Sequence, residues 1–406
     1  MNGIEISVHL NEPTLYAVAH KRGRKTLEIQ AFDGVLTVSV QYDYNRAPLN
    51  LTAEVTGGEN VTVILYSHRI ELYVNGILTD EEWPIGERLF DYGDEFSPSG
   101  LVAQSIHMTS STEEPSVIST FENAEGWRPD GGVFVGDCMP YVRNGEYHVL
   151  YLKDRHHHKS KWGMGAHQWE HISTVDFKTW AVHPMAVPIT HSWEGSICTG
   201  SHIKKGETEY LYYTVRRANG LPAIIARSIS HDGYHFYKDE NFGFTVSDKF
   251  HAQSARDPKV FFGEDGQYHM ILTTSLTTPE KNGCLAHFTS PDLEKWEEAE
   301  KPIYIVPNTA QPECPDYFKY GGKYYLIFSL YGRARYLVSN EPFENFTSVD
   351  DEPIPCAGVP KCAEWRGDLV FTGFKVIDGY AGTMTFKKAT SGENGKLVFE
   401  DMTENK

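Results

Sequence analysis

From Trp127 onward the sequence repeats one pattern, in which a glycine or polar turn precedes an aromatic-rich alternating segment. Its five copies read NGEYHVLYL, GETEYLYYTV, DGQYHMILTT, GGKYYLIFSL and RGDLVFTGF. A second motif follows four of them, as STVDFKTW, SISHDGYHFY, SPDLEKW and SNEPFENF. The turn glycines recur every 45 to 61 residues, a length that suits a propeller blade of several short strands. Because two motifs recur in phase, the sequence predicts an all-β protein with a five-bladed β-propeller over residues 116–400.

The first part of the chain, residues 1–115, has a different character. Segments such as KTLEIQAF and GVLTVSVQYD alternate apolar and polar residues with period two, as half-buried strands do. Asn75-Gly76 is a hairpin signal, because both residues tolerate positive φ. The pattern resembles lectin-like β-sandwiches of the concanavalin and laminin-G type. We therefore predict an N-terminal β-sandwich domain, either purely structural or glycan-binding.

Composition removes some partner classes. The formal net charge of −18 disfavours nucleic acid and anionic membranes, whereas 13% aromatic residues suit stacking on sugars. The six cysteines are scattered without a Cys-x-x-Cys pair, and no secretory-signal pattern or membrane-length apolar run is present. We expect a cytoplasmic protein that acts on a small carbohydrate, without a cofactor or metal. The oligomeric state stays open.

Three acids open the first strand of their repeats. Asp137, Asp257 and Glu313 lie eight or nine residues before the turn glycines of repeats one, three and four. The first strand of a propeller blade lines the central channel, so we expect the three carboxylates to meet at one mouth of it. Paired carboxylates with different pKa values serve glycoside hydrolysis as nucleophile or base and as general acid. Arg256 is expected to keep Asp257 ionised.

The motifs that carry these acids resemble glycoside hydrolase family 32, the invertase and levanase family. The resemblance rests on RDPK, ECPD, WEHIST and GSICTGS and spans residues 131–374. It implies retaining hydrolysis of a β-fructofuranoside, with Asp137 as nucleophile, Asp257 as transition-state stabiliser and Glu313 as acid/base. Two departures concern the family's usual Asn-Asp-Pro-Asn-Gly motif, where this chain has Gly136 and Cys138. The family's sandwich is C-terminal, whereas here the predicted sandwich comes first.

Other residues near these motifs are candidates for substrate binding. Trp169 and Trp193, with Trp162, are placed for sugar stacking, and Ser201 closes the GSICTGS segment. Lys153 begins a stretch with unusually many cations, which we interpret as a possible basic wall over the channel mouth. This stretch also contains the histidines 156, 157, 158, 167 and 171. We do not favour a metal site there, because consecutive residues point to alternate sides.

Two rival functions stay open. A family-43-like propeller would use three acids to hydrolyse arabinosides or xylosides with inversion, with a wider spacing between the acids. A non-catalytic carbohydrate-binding propeller is the other alternative, suggested by the altered first motif.

Overall fold

A computed structural model of the chain describes residues 2–10, 15–91, 94, 96–97, 102–107, 115–129, 132–158, 166–356 and 358–402. Trp162 lies outside these ranges. The structure is built from strands, with two 3-10 turns at Ala252–Ser254 and Glu393–Gly395. Within the described ranges, no helix combines the length and the apolar character that a membrane span requires.

Two five-stranded antiparallel sheets form the N-terminal region. Its strands are β1 Asn2–His9, β2 Leu15–Lys21, β3 Arg24–Phe32, β4 Val35–Val40, β5 Leu49–Glu54, β6 Asn60–Tyr66, β7 Ile70–Val74, β8 Ile77–Glu82, β9 Phe96–Ser97 and β10 Val102–His107. One sheet has the order β10-β1-β6-β7-β8 and the other β5-β4-β3-β2-β9. Every second side chain is buried along β4 and β5, and both sheets contribute to one shared hydrophobic cluster. Period-two alternation therefore places one face of each sheet in a common core.

The rest of the chain forms antiparallel units that follow the sequence repeats. Its strands are β11 Ser119–Glu122, β12 Val133–Arg143, β13 Glu146–Arg155, β14 Gln168–Thr174, β15 Thr179–Val187, β16 Glu194–Lys205, β17 Thr208–Arg217, β18 Ile224–Ser230, β19 Tyr237–Lys238, β20 Arg256–Phe262, β21 Tyr268–Ser275, β22 Gly283–Ser290, β23 Glu297–Glu298, β24 Tyr304–Ile305, β25 Glu313–Tyr320, β26 Lys323–Leu330, β27 Arg333–Ser339, β28 Lys361–Trp365, β29 Asp368–Val376, β30 Gly382–Ser391 and β31 Leu397–Asp401. We call β12–β15 unit 1, β16–β19 unit 2, β20–β23 unit 3, β25–β27 unit 4 and β28–β31 unit 5. A bridge between Val135 and Gly382 joins units 1 and 5 into one sheet.

The first strands of the units lie side by side. β12 contacts β16 and β28, β16 contacts β20, and β20 contacts β25. Between β25 and β28, the backbone N–H of Cys362 donates to the buried Asp316 carboxylate at 3.0 Å. Lys259 of β20 pairs with the same carboxylate at 2.5 Å. Charged groups buried between the first strands are therefore paired with one another.

The acidic end of β8 packs against the end of β13. Asp80 accepts from Arg155 at 2.7 Å, and Lys153 lies 3.4 Å from the Glu81 carboxylate and 4.6 Å above the Trp83 ring. Burial raises the pKa of Asp80, but hydrogen bonds, among them that from Arg155, outweigh it and bring the pKa to about 2. Part of the stretch that we interpreted as a wall over the channel mouth, namely Lys153, Arg155, His156 and His158, thus faces the carboxylates of the N-terminal region.

Candidate active site

The predicted acids lie at irregularities of the first strands. Four of these strands shift register against their second strands within the same short stretch, between Val135 and Cys138, Ile197 and Gly200, Arg256 and Lys259, and Glu313 and Asp316. A bulge re-aims a side chain that regular pairing would place on a sheet face. Asp257 has φ +59° and Cys314 has φ +51°, a left-handed conformation uncommon outside glycine. The bulges therefore direct the side chains of these residues toward the centre.

Asp137, Arg256, Asp257 and Glu313 line one cavity of about 300 Å³. Their convergence at one place agrees with the sequence prediction. Asp137 and Asp257 are buried, whereas the Glu313 side chain is 49% exposed. The buried carboxylates thus lie at the bottom of the cavity and the exposed one at its rim, where solvent can exchange protons with it.

Asp137 accepts hydrogen bonds from three different elements. The hydroxyl of Thr199 donates to Oδ2, the thiol of Cys314 lies 3.2 Å from the same oxygen, and the hydroxyl of Tyr380 donates to Oδ1 at 3.0 Å. These contacts come from β16, from β25 and from the segment before β30. The carboxylate is therefore fixed in one orientation with both oxygens engaged.

Arg256 links the other two acids. Its Nη2 lies 2.7 Å from Glu313 Oε1, and its Nε lies 3.5 Å from Asp257 Oδ2. Its Nη1 donates to Gln311 Oε1 at 2.6 Å, which holds the guanidinium plane in place. Asp257 Oδ2 also accepts from the backbone N–H of Cys314 at 3.0 Å. The guanidinium thus lies between the two carboxylates and compensates charge in a largely buried site.

Burial and neighbouring charges shift the pKa of two groups in the cavity, Asp137 and the Cys314 thiol. Burial raises the pKa of Asp137 above its usual range, and the nearby Asp257 carboxylate acts in the same direction. The three hydrogen-bond donors to Asp137 act in the opposite direction. Burial also raises the pKa of the Cys314 thiol well above its usual value, and both carboxylates add to this effect. The thiol consequently stays protonated and donates its one proton to one of the two carboxylates, whose oxygens lie 3.2 and 3.4 Å from Sγ.

Gly136 makes room for Tyr380. A Cβ at position 136 would lie 2.8 Å from the Tyr380 hydroxyl oxygen and 3.0 Å from Cβ of Leu152. Both approaches are closer than ordinary contacts allow. The backbone of Tyr380 is held in turn by His157, whose Nε2 donates to its carbonyl at 2.7 Å. The first departure from the family motif thus has a structural reason, because a larger residue at 136 would displace a hydroxyl that binds Asp137.

The structure does not bring the other four predicted substrate-binding residues to this cavity. Trp169 is fully buried in the core between units 1 and 2, and its Nε1 donates to Cys198 O at 3.0 Å. Ser201 is buried between units 2 and 3, where its hydroxyl donates to Pro258 O at 2.9 Å. Trp193 is 40% exposed and lines a second cavity of about 550 Å³. Lys153 pairs with Glu170 at 3.0 Å on the side of the N-terminal region.

Several cavity residues went unrecognised in the sequence, among them Thr199, Cys314 and Tyr380. His167, which we placed in the stretch over the channel mouth, does line the cavity. Thr199 and Cys314 lie inside motifs that the sequence marked, so their neighbours were a signal for them. Tyr380 follows a Gly in an unremarkable turn, and no local pattern marks it. Thr199, Cys314 and Tyr380 all contact Asp137 of unit 1 from other parts of the chain, and the spacing of residues in the sequence does not predict such contacts.

The comparisons with known proteins agree with this geometry. The family model described as "Glycosyl hydrolases family 32 N-terminal domain" matches residues 137–348, slightly more than half of the chain. A sucrose-6-phosphate hydrolase of Vibrio alginolyticus is 24% identical over 220 residues, which cover 51% of this chain and 41% of that protein. A raffinose invertase of Escherichia coli is 26% identical over 198 residues, or 47% and 40% of the two chains. The matches thus span less than half of either relative.

Solved structures show the same fold at lower identity. Fructan 1-exohydrolase IIa of Cichorium intybus aligns with a TM-score of 0.57 and 17% identity, over 72% of this chain and 62% of that chain. The RS223 β-xylosidase aligns with a TM-score of 0.52 and 15% identity, over 66% and 95% of the two chains. These neighbours are of the propeller type, and carboxylates around one cavity are the groups that glycoside hydrolysis requires. The chain belongs to glycoside hydrolase family 32, and the resemblance seen in the sequence is confirmed.

Proposed function

We propose that this protein is a retaining β-fructofuranosidase-type hydrolase that releases terminal fructose from sucrose or from short or unusual fructosides. The observation that carries the proposal is the convergence of Asp137, Asp257 and Glu313 on one cavity. Asp137 attacks the anomeric carbon as the nucleophile, the role that the family resemblance implies, and three hydrogen bonds hold its carboxylate in one orientation. Glu313 protonates the leaving oxygen from the exposed rim and then activates water. Asp257 binds sugar hydroxyls and stabilises the transition state.

The proposal includes the finer architecture. Five units in a ring, closed between β25 and β28 by the Cys362–Asp316 hydrogen bond, support a five-bladed propeller over residues 116–400. Two sheets around one core support a lectin-like β-sandwich over residues 1–115. The six cysteines are free thiols, which supports a reducing compartment such as the cytoplasm.

Fructose release tests the proposal. The purified full chain is incubated with sucrose, kestose, inulin and levan, and free fructose is measured. Asp137→Asn and Glu313→Gln are expected to abolish release, because each replaces a reacting carboxyl by an amide. Glu364→Gln is the matched control, since Glu364 is an exposed acid of β28 outside the cavity. Release that persists in Asp137→Asn would refute the assignment of the nucleophile.

The stereochemistry separates the proposal from its rivals. A retaining enzyme transfers fructose to methanol and yields the methyl β-fructofuranoside, whereas an inverting enzyme does not. Aryl arabinofuranosides and xylosides are assayed in parallel. Turnover of these sugars alone would favour a family-43-like activity. Binding of a glycan without turnover, equal in the wild type and in Asp137→Asn, would indicate a binding protein.

A further inference from the structure

Unit 1 contains a cluster of three buried histidines away from the cavity. His148 on β13, His171 on β14 and His183 on β15 come from neighbouring strands of one sheet, and His171 pairs directly with His183 in the register. One nitrogen of each ring lies within 4.8 Å of one nitrogen of each of the other two. The three side chains are at most 2% exposed, and none lines the cavity of the acids.

Around His183, hydrogen-bond acceptors outnumber the protons that can be donated to them. His183 Nδ1 donates to the Ser116 carbonyl at 2.6 Å, so Nε2 of the neutral ring carries a lone pair. That lone pair faces the Ser173 hydroxyl at 2.6 Å. The same hydroxyl also contacts a carboxylate oxygen of Glu146, which accepts only. The Ser173 hydroxyl has one proton and can donate it either to His183 Nε2 or to Glu146. A further proton or a cation is needed to satisfy both acceptors.

The outer nitrogen of His183 has the kind of partner that metal-binding histidines have, because Nδ1 donates to the Ser116 carbonyl. Such a partner orients a ligating ring and holds its free nitrogen toward the ion. His148 Nε2 is buried without a hydrogen-bond partner among the described residues, and a Glu146 carboxylate oxygen lies 3.5 Å from it. On the inner side, His148 Nδ1 and His171 Nε2 lie only 2.9 Å apart. His171 Nδ1 is buried and has no hydrogen-bond partner among the described residues.

We propose that His148, His171 and His183 bind one zinc ion through one ring nitrogen each. Three imidazoles and a fourth position for water or the Glu146 carboxylate make up the tetrahedral set that zinc prefers. The ion supplies the positive group that the hydrogen bonds lack. It also ties three strands together beside Tyr234 of unit 2, whose hydroxyl donates to Glu146 at 3.0 Å. The inference stands independently of the proposed hydrolase activity.

Unit 3 offers an internal control. His269 Nδ1 and His287 Nε2 lie 3.0 Å apart, and Asp265 lies 3.0 Å from the other nitrogen of His269. This copy repeats the histidine pair and its carboxylate, but the ring packed against both histidines is Phe343. A histidine pair with a nearby carboxylate thus occurs in both unit 1 and unit 3, and the third histidine is what distinguishes unit 1.

The test measures metal content in the full chain without a histidine tag. The protein is stripped with a chelator, reconstituted with zinc, dialysed and analysed by mass spectrometry. We expect about one zinc per chain in the wild type and in His287→Leu, and less than about 0.1 in His183→Leu. His158→Ala is a second control, because His158 belongs to a separate group near the N-terminal region, where it contacts Glu82 at 2.9 Å.

Two results would overturn the inference. One is a wild type that retains less than about 0.1 zinc per chain, which would mean that a proton supplies the missing positive charge. The other is zinc that is lost in His158→Ala and kept in His183→Leu. If His183→Leu does not fold, two measurements on the wild type still test the inference. Cobalt substituted for zinc must then give the visible absorption of a tetrahedral site, and added zinc must raise the Tm.

Discussion

Alanine at position 136 is expected to push Tyr380 away from Asp137. An ordinary Cβ contact begins at 3.4 Å and the Tyr380 oxygen would lie at 2.8 Å, so the hydroxyl must retreat by about 0.6 Å. Its 3.0 Å bond to the carboxylate then lengthens to about 3.6 Å, which is no longer a hydrogen bond. Losing a hydrogen bond to a charged group costs about 1.5–3 kcal/mol. Glycine-to-alanine replacement returns about 0.4–1 kcal/mol through the unfolded chain, because position 136 does not require positive φ.

The net loss in the free energy of unfolding is therefore about 1–2 kcal/mol for Gly136→Ala. Tyr380→Phe removes both the hydrogen bond and the hydroxyl oxygen that the new Cβ would approach, so Gly136→Ala should cost about 1.5–3 kcal/mol less in that background. Urea unfolding of both single variants and the double variant at pH 7 measures this coupling. Free energies that add to within about 0.3–0.5 kcal/mol would refute the reasoning. Under the proposed function, each single variant also lowers kcat/KM about tenfold or more.

Three further predictions concern charge and exposure. Asp137→Asn should raise the free energy of unfolding at neutral pH. The pKa of Asp137 is higher in the folded than in the unfolded protein, so the folded state binds this proton more strongly. The resulting stabilisation is complete below the unfolded pKa and is lost as pH rises through the folded pKa. The difference in Tm between variant and wild type should vanish toward acidic pH, and a difference that is constant with pH would contradict this. Lys153→Met should lower the free energy of unfolding by about 3 kcal/mol, because it removes the ammonium group that pairs with Glu81 and Glu170. The same variant should leave kcat/KM unchanged. A large loss of kcat/KM with normal urea unfolding would instead support substrate binding by Lys153. Trp193→Ala should leave kcat/KM for sucrose unchanged, because this ring lines a different cavity; a rise in KM would place it in the sugar site.

Much of the site could be read from the sequence because it follows the repeat. Asp137, Asp257 and Glu313 occupy similar distances before the turn glycines, and equal positions in repeated units meet at one end of their first strands. The four substrate-binding candidates that lie elsewhere were chosen by proximity in sequence to these motifs. In a strand, adjacent side chains point to opposite faces, so proximity in sequence does not place a residue in the cavity.

The sequence by itself determined the all-β class, the number and phase of the repeats and the set of converging acids, because these depend on local periodicity. Only the tertiary structure decided which groups touch Asp137, since Tyr380 is 243 residues away along the chain. It also decided that Arg155 at the end of β13 faces Asp80 of β8, and that three histidines from separate strands share one buried space. Such contacts depend on how strands pack and which side chains compete for the same volume, and no spacing along the chain encodes that competition.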